Sequence, residues 1–246
     1  MEDRRDILVG RNAVAEAVKS GREIDKITVA NGSDGSVKKT VAMAKDRGIP
    51  VYFADRQALD RMAPGEKHQG IIAQVSGFSY SSIDDILDVA ENRGEEPFVI
   101  ILDGIEDPHN LGAVMRTAEC VGAHGIIIPK RRAASVTETA AKSAAGAAEY
   151  MKVAKVTNIS RAIDELKERG LWIAACDMDG DTYWQSNLKG SIAIVIGNEG
   201  AGISKLVKEK CDFTVSMPMK GKITSLNASN AAAVIMYEVR RQRDGI

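Results

Sequence analysis

Four apolar runs in the second half of the chain decide its fold: F-V-I-I-L (98–102), G-I-I-I-P (125–129), L-W-I-A-A (171–175) and I-A-I-V-I (192–196). Each run has the length of a strand, and apolar residues at helical spacing lie between the runs. Strands that are apolar on both faces are typical of a parallel sheet covered by helices on both sides. The sequence therefore predicts an α/β domain with a parallel sheet.

Five helices are predicted to accompany these strands, at 111–121, 137–148, 159–169, 203–210 and 228–243. The last ends in R-R-Q-R, and cations at a helix C-terminus interact favourably with the helix dipole.

A smaller α/β unit is expected to precede this domain. Its strands are predicted at 24–29, 51–53 and 70–75, and its helices at 13–18 and 37–44. Glycine is favoured just after the end of a helix, so Gly21 and Gly48 are expected to close the two helices.

The boundary between the two parts is expected in the polar stretch S-G-F-S-Y-S-S (76–82), whose small residues suit a linker. Ser82 suits the N-cap of a following helix, and Gly94 suits its end. The predicted division is a first domain, a linker with a linking helix, and a second domain, at 1–77, 78–94 and 95–246.

The composition is that of an ordinary globular protein, with 44% hydrophobic and 27% charged residues among 246. The net charge of −1 argues against a protein that coats nucleic acid indiscriminately, although a local basic patch is compatible with it. Only 4% of the residues are aromatic, so extensive base-stacking surfaces are not expected.

The cysteines are widely spaced and odd in number, which fits neither a disulfide framework nor a zinc site: Cys120, Cys176 and Cys211. They are expected to be reduced core residues. The three histidines show no metal-ligand spacing, so no metal is expected. Residues 1–6 are charged, and no apolar run approaches the roughly 20 residues that span a bilayer. A cytoplasmic protein without a membrane segment is predicted.

Ligands of a parallel sheet bind beyond the carboxyl ends of its strands, so the loops after the apolar runs are candidate sites. The first loop, L-D-G-I-E-D-P-H-N-L-G-A-V-M-R-T-A (102–118), could simply be a turn and a helix capped by Asn110. Arg116, however, follows Asn110 by about one and a half helical turns and lies among small and apolar residues. A guanidinium in such surroundings needs an anionic or hydrogen-bonding partner.

The second loop is I-G-N-E-G-A-G-I-S (196–204), whose glycines let backbone approach a ligand, although a plain glycine turn explains them as well. The chain contains neither G-x-G-x-x-G here nor a G-x-x-x-x-G-K-[ST] anywhere, so neither a dinucleotide fold nor a P-loop is supported. In the third loop, M-P-M-K-G-K-I-T-S-L-N-A-S-N-A-A-A (217–233), Ser225 and Asn227 flank Leu226 and could simply cap the last helix.

In chain order, the three loops resemble the three signature motifs of the SpoU/TrmH family of RNA methyltransferases. The family patterns are N-x-x-G-x-x-x-R, G-x-E-G-x-G and P-M-x-G-x-x-x-S-L-N. The first loop matches its pattern almost to the spacing. The matching residues are Asn110, Gly112 or Ala113 and Arg116, then Gly197, Glu199, Gly200 and Gly202, then Pro218, Met219, Gly221, Ser225, Leu226 and Asn227.

The first unit resembles the substrate-binding domain of the same family, which is similar to ribosomal protein L30e. The run H-Q-G-I-I-A-Q-V (68–75) is similar to the segment that closes that domain. Within the family, the chain looks closest to the RlmB group.

The resemblance implies an S-adenosylmethionine-dependent ribose 2′-O-methyltransferase whose target is a guanosine of 23S ribosomal RNA. The alternatives left open are transfer RNA or another ribosomal nucleotide as the target, and a non-catalytic RNA-binding protein. The resemblance also implies a homodimer and a deep trefoil knot, in which the C-terminal segment is threaded through a loop. The backbones at Gly197, Met217 and Leu226 would then bind the adenosine of the donor.

By the same resemblance, Arg116 acts on the ribose oxygen, in its own active site or in that of a partner subunit. A guanidinium keeps its proton in proteins, so we expect it to stabilise an alkoxide or position a phosphate. Asn110, Glu199, Ser225 and Asn227 are expected to support it, and Glu199 either accepts the proton or orients Arg116.

Basic residues are the candidates for RNA contacts. Lys220 and Lys222 lie within the third motif, where contact with phosphate is expected. The K-R-R cluster at 130–132 follows a strand and could equally be a solvated face. His109 is expected to be structural.

Overall fold

The structure, a computed structural model, describes two compact units, the first ending at Ser79 and the second beginning at Tyr80. The described residues are 7–20, 22, 24–33, 35–75 and 77–245. The helix end expected at Gly21 and the linker start expected at Ser76 lie outside them.

The first unit is a four-stranded sheet with three helices among its described residues. Its elements are β1 (Ile7–Val9), α1 (Arg11–Ser20), β2 (Ile24–Ala30), α2 (Gly35–Asp46), β3 (Val51–Ala54), α3 (Arg56–Met62) and β4 (Ile71–Val75). The strand order is β1-β4-β2-β3, with β2 and β3 parallel and the other neighbours antiparallel. The predicted strands and helices are confirmed. β1 and α3 were not predicted, because 3 and 7 residues are too few for a clear periodic pattern.

The core of the first unit lies between its helices and its sheet. Val14, Ala17 and Val18 are buried, and their spacing puts them on one face of α1. They pack with Ile27 and Ile71 of the sheet in one apolar cluster. Burial of this face, rather than helix propensity, stabilises a helix of only 10 residues.

The second unit is a six-stranded, all-parallel sheet in the order β10-β8-β9-β5-β6-β7. Two short 3₁₀ turns, Ala147–Glu149 and Tyr183–Gln185, accompany its helices and strands. Those elements are α4 (Ile83–Arg93), β5 (Phe98–Asp103), α5 (Pro108–Cys120), β6 (Gly125–Pro129), α6 (Glu138–Ala144), β7 (Val153–Val156), α7 (Ile159–Glu168), β8 (Trp172–Thr182), β9 (Ile192–Gly197), α8 (Lys205–Lys210), β10 (Phe213–Ser216) and α9 (Ala228–Asp244).

The parallel sheet and its five accompanying helices are confirmed. The four predicted strands are β5, β6, β8 and β9, which are interior strands of the sheet. β7 and β10 were not predicted. They form the two edges of the sheet, and their sequences V-A-K-V and F-T-V-S include polar residues, so they do not read as continuous apolar runs.

α4 begins and ends where the sequence indicates. Ser82 accepts a hydrogen bond from the amide of Asp85, whose carboxylate in turn accepts from the amide of Ser82, and Gly94 ends the helix in the left-handed conformation. Ile86 packs against β6 at Gly125, where a Cβ would lie 2.5 Å from the isoleucine side chain. The segment predicted as a linking helix therefore contributes to the core of the second unit.

Because all six strands are parallel, their carboxyl ends meet at one edge of the sheet. β5 and β9 are neighbours there, with Asp103 paired to Gly197. β9 lies between β8 and β5, so a late strand separates two earlier ones. The expected trefoil knot stays a prediction. None of the helices in the described part of the chain combines the length and apolar character that crossing a bilayer requires.

Candidate active site

The three motif loops meet in a cluster of three side chains, Asn110, Glu199 and Asn227. Nδ2 of Asn110 donates to Oε1 of Glu199 at 2.5 Å. Nδ2 of Asn227 donates to the same oxygen at 2.9 Å and to Oδ1 of Asn110 at 3.0 Å. Each loop thus contributes one member, and a single carboxylate oxygen accepts from two amides.

Asn110 can join this cluster because another residue caps its helix. Oδ1 of Asp107 accepts from the amide of His109 at 2.9 Å, and α5 begins at Pro108. A capping role for Asn110 is therefore wrong. Its side chain is buried and reaches across to the second loop instead.

Asn227, by contrast, is both a cap and a member of the cluster. Its Oδ1 accepts from the amides of Ser229 at 2.9 Å and Asn230 at 3.4 Å, so it caps α9 as the sequence indicates. Its Nδ2 remains available for Glu199 and Asn110. The position of the cluster is therefore tied to the start of α9.

A tight turn presents Glu199. The amide of Asn198 donates to the carbonyl of Gly202 at 3.1 Å, and the amide of Gly202 donates back at 2.8 Å. A Cβ on Gly197 would lie 2.3 Å from the carbonyl carbon of Gly202 and from the nitrogen of Ile203. Only glycine at 197 lets the turn fold back onto the end of β9.

Two residues that hold this turn were not predicted from the sequence. Nδ2 of Asn198 donates to the carbonyl of Gly104 at 2.8 Å. Oδ2 of Asp103 accepts from the amide of Ser204 at 2.8 Å. Their positions in the sequence could have identified them, since each is a polar residue at the carboxyl end of an apolar strand.

The segment 217–226 of the third loop, which precedes Asn227, is exposed except at its half-buried first residue, Met217. In the described part of the chain it takes part in no hydrogen bond. Its backbone amides and carbonyls are therefore open to a ligand, next to the exposed apolar side chains of Met219, Ile223 and Leu226. Ser225 is exposed, and no hydrogen bond among the described residues joins it to the Asn110 cluster.

Arg116 does not lie in the cluster of its own chain. It is exposed on α5, about 120° around the helix from Asn110. Among the described residues nothing hydrogen-bonds its guanidinium, which is exposed to water. The small and apolar sequence neighbours of Arg116 therefore do not enclose its side chain, and the partner expected for it is not found within its own chain among the described residues. The side chain is available to a substrate or a second subunit.

The remaining polar candidates lie on the surface. Lys220, Lys222 and the cluster at 130–132 are exposed. His109 is exposed beside the site, and its Nδ1 lies 3.0 Å from Oγ of Ser143 on α6, which matches the structural role expected for it.

The three cysteines are free. Burial raises the pKa of the Cys176 and Cys211 thiols to about 12, because a thiolate would be poorly solvated there. Cys120 is exposed at the end of α5, so the core position expected for it is wrong. Among the described residues, no group of three or more histidine, cysteine or acidic side chains could hold a metal ion.

Two family models match the chain. The SpoU rRNA Methylase family matches residues 97–237, which include all three members of the cluster. The model named RNA 2'-O ribose methyltransferase substrate binding matches residues 7–81.

Relatives of similar length match from end to end. YacO of Bacillus subtilis (strain 168), a protein assigned to the TrmH family of tRNA/rRNA methyltransferases, is 47% identical over 100% of this chain and 99% of its own. A protein of Staphylococcus aureus (strain MSSA476) with the same assignment is 43% identical over the same shares.

Solved structures of methyltransferases are also similar to this chain. The SpoU methyltransferase AviRb from Streptomyces viridochromogenes, in complex with AdoMet, is similar with a TM-score of 0.62 and 25% identity, over 98% of this chain and 91% of that one. An AdoMet-bound rRNA methyltransferase from Sinorhizobium meliloti shares the fold with a TM-score of 0.61 and 22% identity, over 96% and 87%. The chain belongs to the SpoU/TrmH family of S-adenosylmethionine-dependent RNA methyltransferases.

Proposed function

We propose that the enzyme methylates the 2′-oxygen of a ribose in RNA, and that its target is a guanosine of 23S ribosomal RNA. The observation that carries the reaction is the cluster of Asn110, Glu199 and Asn227, which joins three loops near the carboxyl edge of the sheet. The family model matching the first unit concerns 2′-O ribose methylation, which supports the choice of oxygen. The choice of RNA rests on the resemblance to the RlmB group.

The donor fits the third loop and the end of β9. We expect backbone groups of Gly197, Met217 and Leu226 to bind its adenosine, because the amides and carbonyls of 217–226 have no other hydrogen-bond partners in the described chain. The exposed side chain of Leu226 adds an apolar surface for the base. When bound, S-adenosylmethionine supplies an electrophilic methyl group.

Glu199 is proposed as the acceptor of the ribose proton. Both amide donors of the cluster bind Oε1, and Oε2 has no hydrogen-bond partner among the described residues. Oε2 is therefore available to a hydroxyl, while Asn110 and Asn227 hold the carboxylate in one orientation. The alternative role, orienting Arg116, finds no support within one chain, because Arg116 lies on another face of α5. Ser225 is proposed as a supporting residue from the third loop.

Arg116 is proposed to act in the active site of a second copy of the chain, where it stabilises negative charge on the 2′-oxygen or a neighbouring phosphate. α9 packs beside α5 and exposes Val234 and Tyr237, at 37% and 56% of their surfaces. A homodimer that covers these apolar side chains would give Arg116 a partner. Sedimentation should show a dimer, and a monomer at micromolar concentration would contradict this proposal.

The first unit is proposed to select the RNA, and its match to a substrate-binding family model supports this. Lys220 and Lys222 are proposed to contact phosphates near the ribose, since both lie exposed in the third loop. An RNA substrate also fits the predicted cytoplasmic location. The same reaction on transfer RNA or another ribosomal nucleotide stays an alternative, as does an RNA-binding protein without catalysis.

The test is methyl transfer in vitro. The purified enzyme is incubated with methyl-labelled donor and with 23S ribosomal RNA, 16S ribosomal RNA or transfer RNA, and the RNA is digested to nucleosides. We expect label in 2′-O-methylguanosine from 23S RNA. Label in transfer RNA would support the first alternative, and failure of the donor to bind in calorimetry would support the second.

A further inference from the structure

Asn198 has no role in the motif, where its position accepts any residue, yet its side chain holds the turn together. Its Oδ1 accepts from the amides of Gly200 at 2.8 Å and Ala201 at 3.3 Å. Its Nδ2 donates to the carbonyl of Gly104 at 2.8 Å. One half-buried amide thus closes the turn from inside and ties it to the loop after β5.

The attachment to the first loop spans a large distance in sequence, since 94 residues separate Asn198 from Gly104. A second bond, from the amide of Ser204 to Oδ2 of Asp103, holds the far side of the turn. The turn is therefore fixed to the end of β5 at both of its sides. Without Asn198, the Ser204 side would be the only part of the turn still bonded to the end of β5 through a side chain.

Glu199 follows Asn198 directly, so a shift of the turn moves its carboxylate. Oε1 of Glu199 has to lie within hydrogen-bonding distance of both Asn110 and Asn227. Hydrogen bonds of this kind tolerate only a few tenths of an ångström before they weaken. The position of the turn therefore affects whether both bonds can form together.

We infer that Asn198 is a positioning residue for methyl transfer, which fixes the turn so that the carboxylate of Glu199 stays between Asn110 and Asn227. The inference rests on the proposed role of Glu199. It assigns a function to a residue that would not contact the donor or the ribose.

The first test is kinetic and uses the full-length enzyme. Asn198→Ala should lower kcat by about 100-fold with the KM for RNA unchanged, because misplacement of a reacting group slows chemistry more than it weakens binding. Asn198→Ser should recover part of the loss, since a hydroxyl can still accept from the Gly200 amide across the turn. Asn158→Ala is the matched control, because it removes one amide hydrogen bond at the start of α7 and should keep the wild-type kcat. Wild-type kcat in Asn198→Ala would overturn the inference.

The second test needs no catalysis, so it separates failure of the inference from failure of the proposed function. Unfolding in urea is followed by the fluorescence of Trp172 and Trp184, both in the second unit. If Asn198 places Glu199 against Asn110, then Asn110→Ala should destabilise the Asn198→Ala variant less than it destabilises wild type. Strictly additive losses would overturn the inference, whatever RNA the enzyme methylates.

Discussion

Oε1 of Glu199 accepts a hydrogen bond from Nδ2 of Asn110 at 2.5 Å, although 89 residues separate the two in sequence. The bond joins the start of α5 to the turn after β9, and Asn227 extends it to the start of α9. Hydrogen bonds to a carboxylate are shorter and stronger than those between neutral groups. The cluster therefore fixes the three motif loops relative to one another and orients one carboxylate.

Removal of the charge from Glu199 without a change of shape should stop methyl transfer. Glu199→Gln keeps an oxygen that can accept from Asn110 and Asn227 but is a far weaker base, so we expect kcat to fall by roughly 100-fold to 10,000-fold. The urea midpoint should change little. Glu209→Gln, an exposed partner of Lys205 on α8, is the matched control and should retain activity. Full activity in Glu199→Gln would rule out its role as the proton acceptor.

Arg116→Ala should abolish methyl transfer and leave donor binding intact. The side chain is exposed and has no hydrogen-bond partner among the described residues, so the free energy of unfolding should change by less than about 0.5 kcal/mol. Donor binding by calorimetry and methyl transfer are measured on the same sample. Arg169→Ala removes an exposed ion pair with Asp84 and serves as the control, with activity retained. Equal turnover in the Arg116 variant and wild type would contradict the proposed mechanism.

Gly197→Ala should destabilise the second unit by about 1–3 kcal/mol, the usual cost of forcing an extra methyl into a packed site. The new Cβ would overlap the peptide between Gly202 and Ile203, at 2.3 Å. Donor affinity should fall with it, because the turn and the end of β9 move apart. The matched variant is Gly200→Ala, whose Cβ meets only Oδ1 of Asn198, at 3.5 Å, and whose urea midpoint should stay near that of wild type. Equal midpoints for the two variants would contradict the packing described.

Acidification should destabilise the second unit through His124. The ring is buried, Nδ1 accepts from the amide of Phe98 at 2.8 Å, and Nε2 lies 3.0 Å from Oε2 of Glu95. Burial lowers the pKa of His124 below its usual 6.5, although Glu95 opposes the shift. The unfolded chain therefore takes up the proton at a higher pH than the folded one does. The stabilising contribution is complete above about pH 6.5 and is lost as the pH falls through the folded pKa.

The measurement for His124 is the free energy of unfolding in urea at a series of pH values from neutral to mildly acidic. Wild type should lose stability below about pH 6.5 more steeply than His124→Gln, whose side-chain oxygen can still accept from Phe98 but does not titrate. Parallel curves for the two proteins would show that His124 does not cause the loss.

The sequence predicted those parts of the fold in which burial requires a recognisable pattern of apolar residues. β5, β6, β8 and β9 are apolar on both faces because helices cover the interior of the sheet, so their sequences alone identify them. β7 and β10 form the edges, where each pairs with only one other strand of the sheet, and polar residues are tolerated. The order of the strands depends on the paths of the connections, which no local pattern records.

The three members of the cluster were among the residues predicted for the site, but the sequence did not predict their geometry. Asn110, Glu199 and Asn227 stand out only as parts of motifs, and each has an ordinary local explanation. Their meeting depends on which strand ends are neighbours. The exposure of Arg116 could not be predicted either. Its apolar sequence neighbours point to other faces of α5 and give no information about its own exposure.

A map of ribose methylation in the ribosomal RNA of cells with and without the protein tests the central claim most directly. Loss of one 2′-O-methyl group from a guanosine of 23S RNA, restored by wild type and not by Glu199→Gln, is the result we predict. A 23S map that is the same with and without the protein would contradict the proposed target. Restoration by the Glu199→Gln variant would contradict the mechanism.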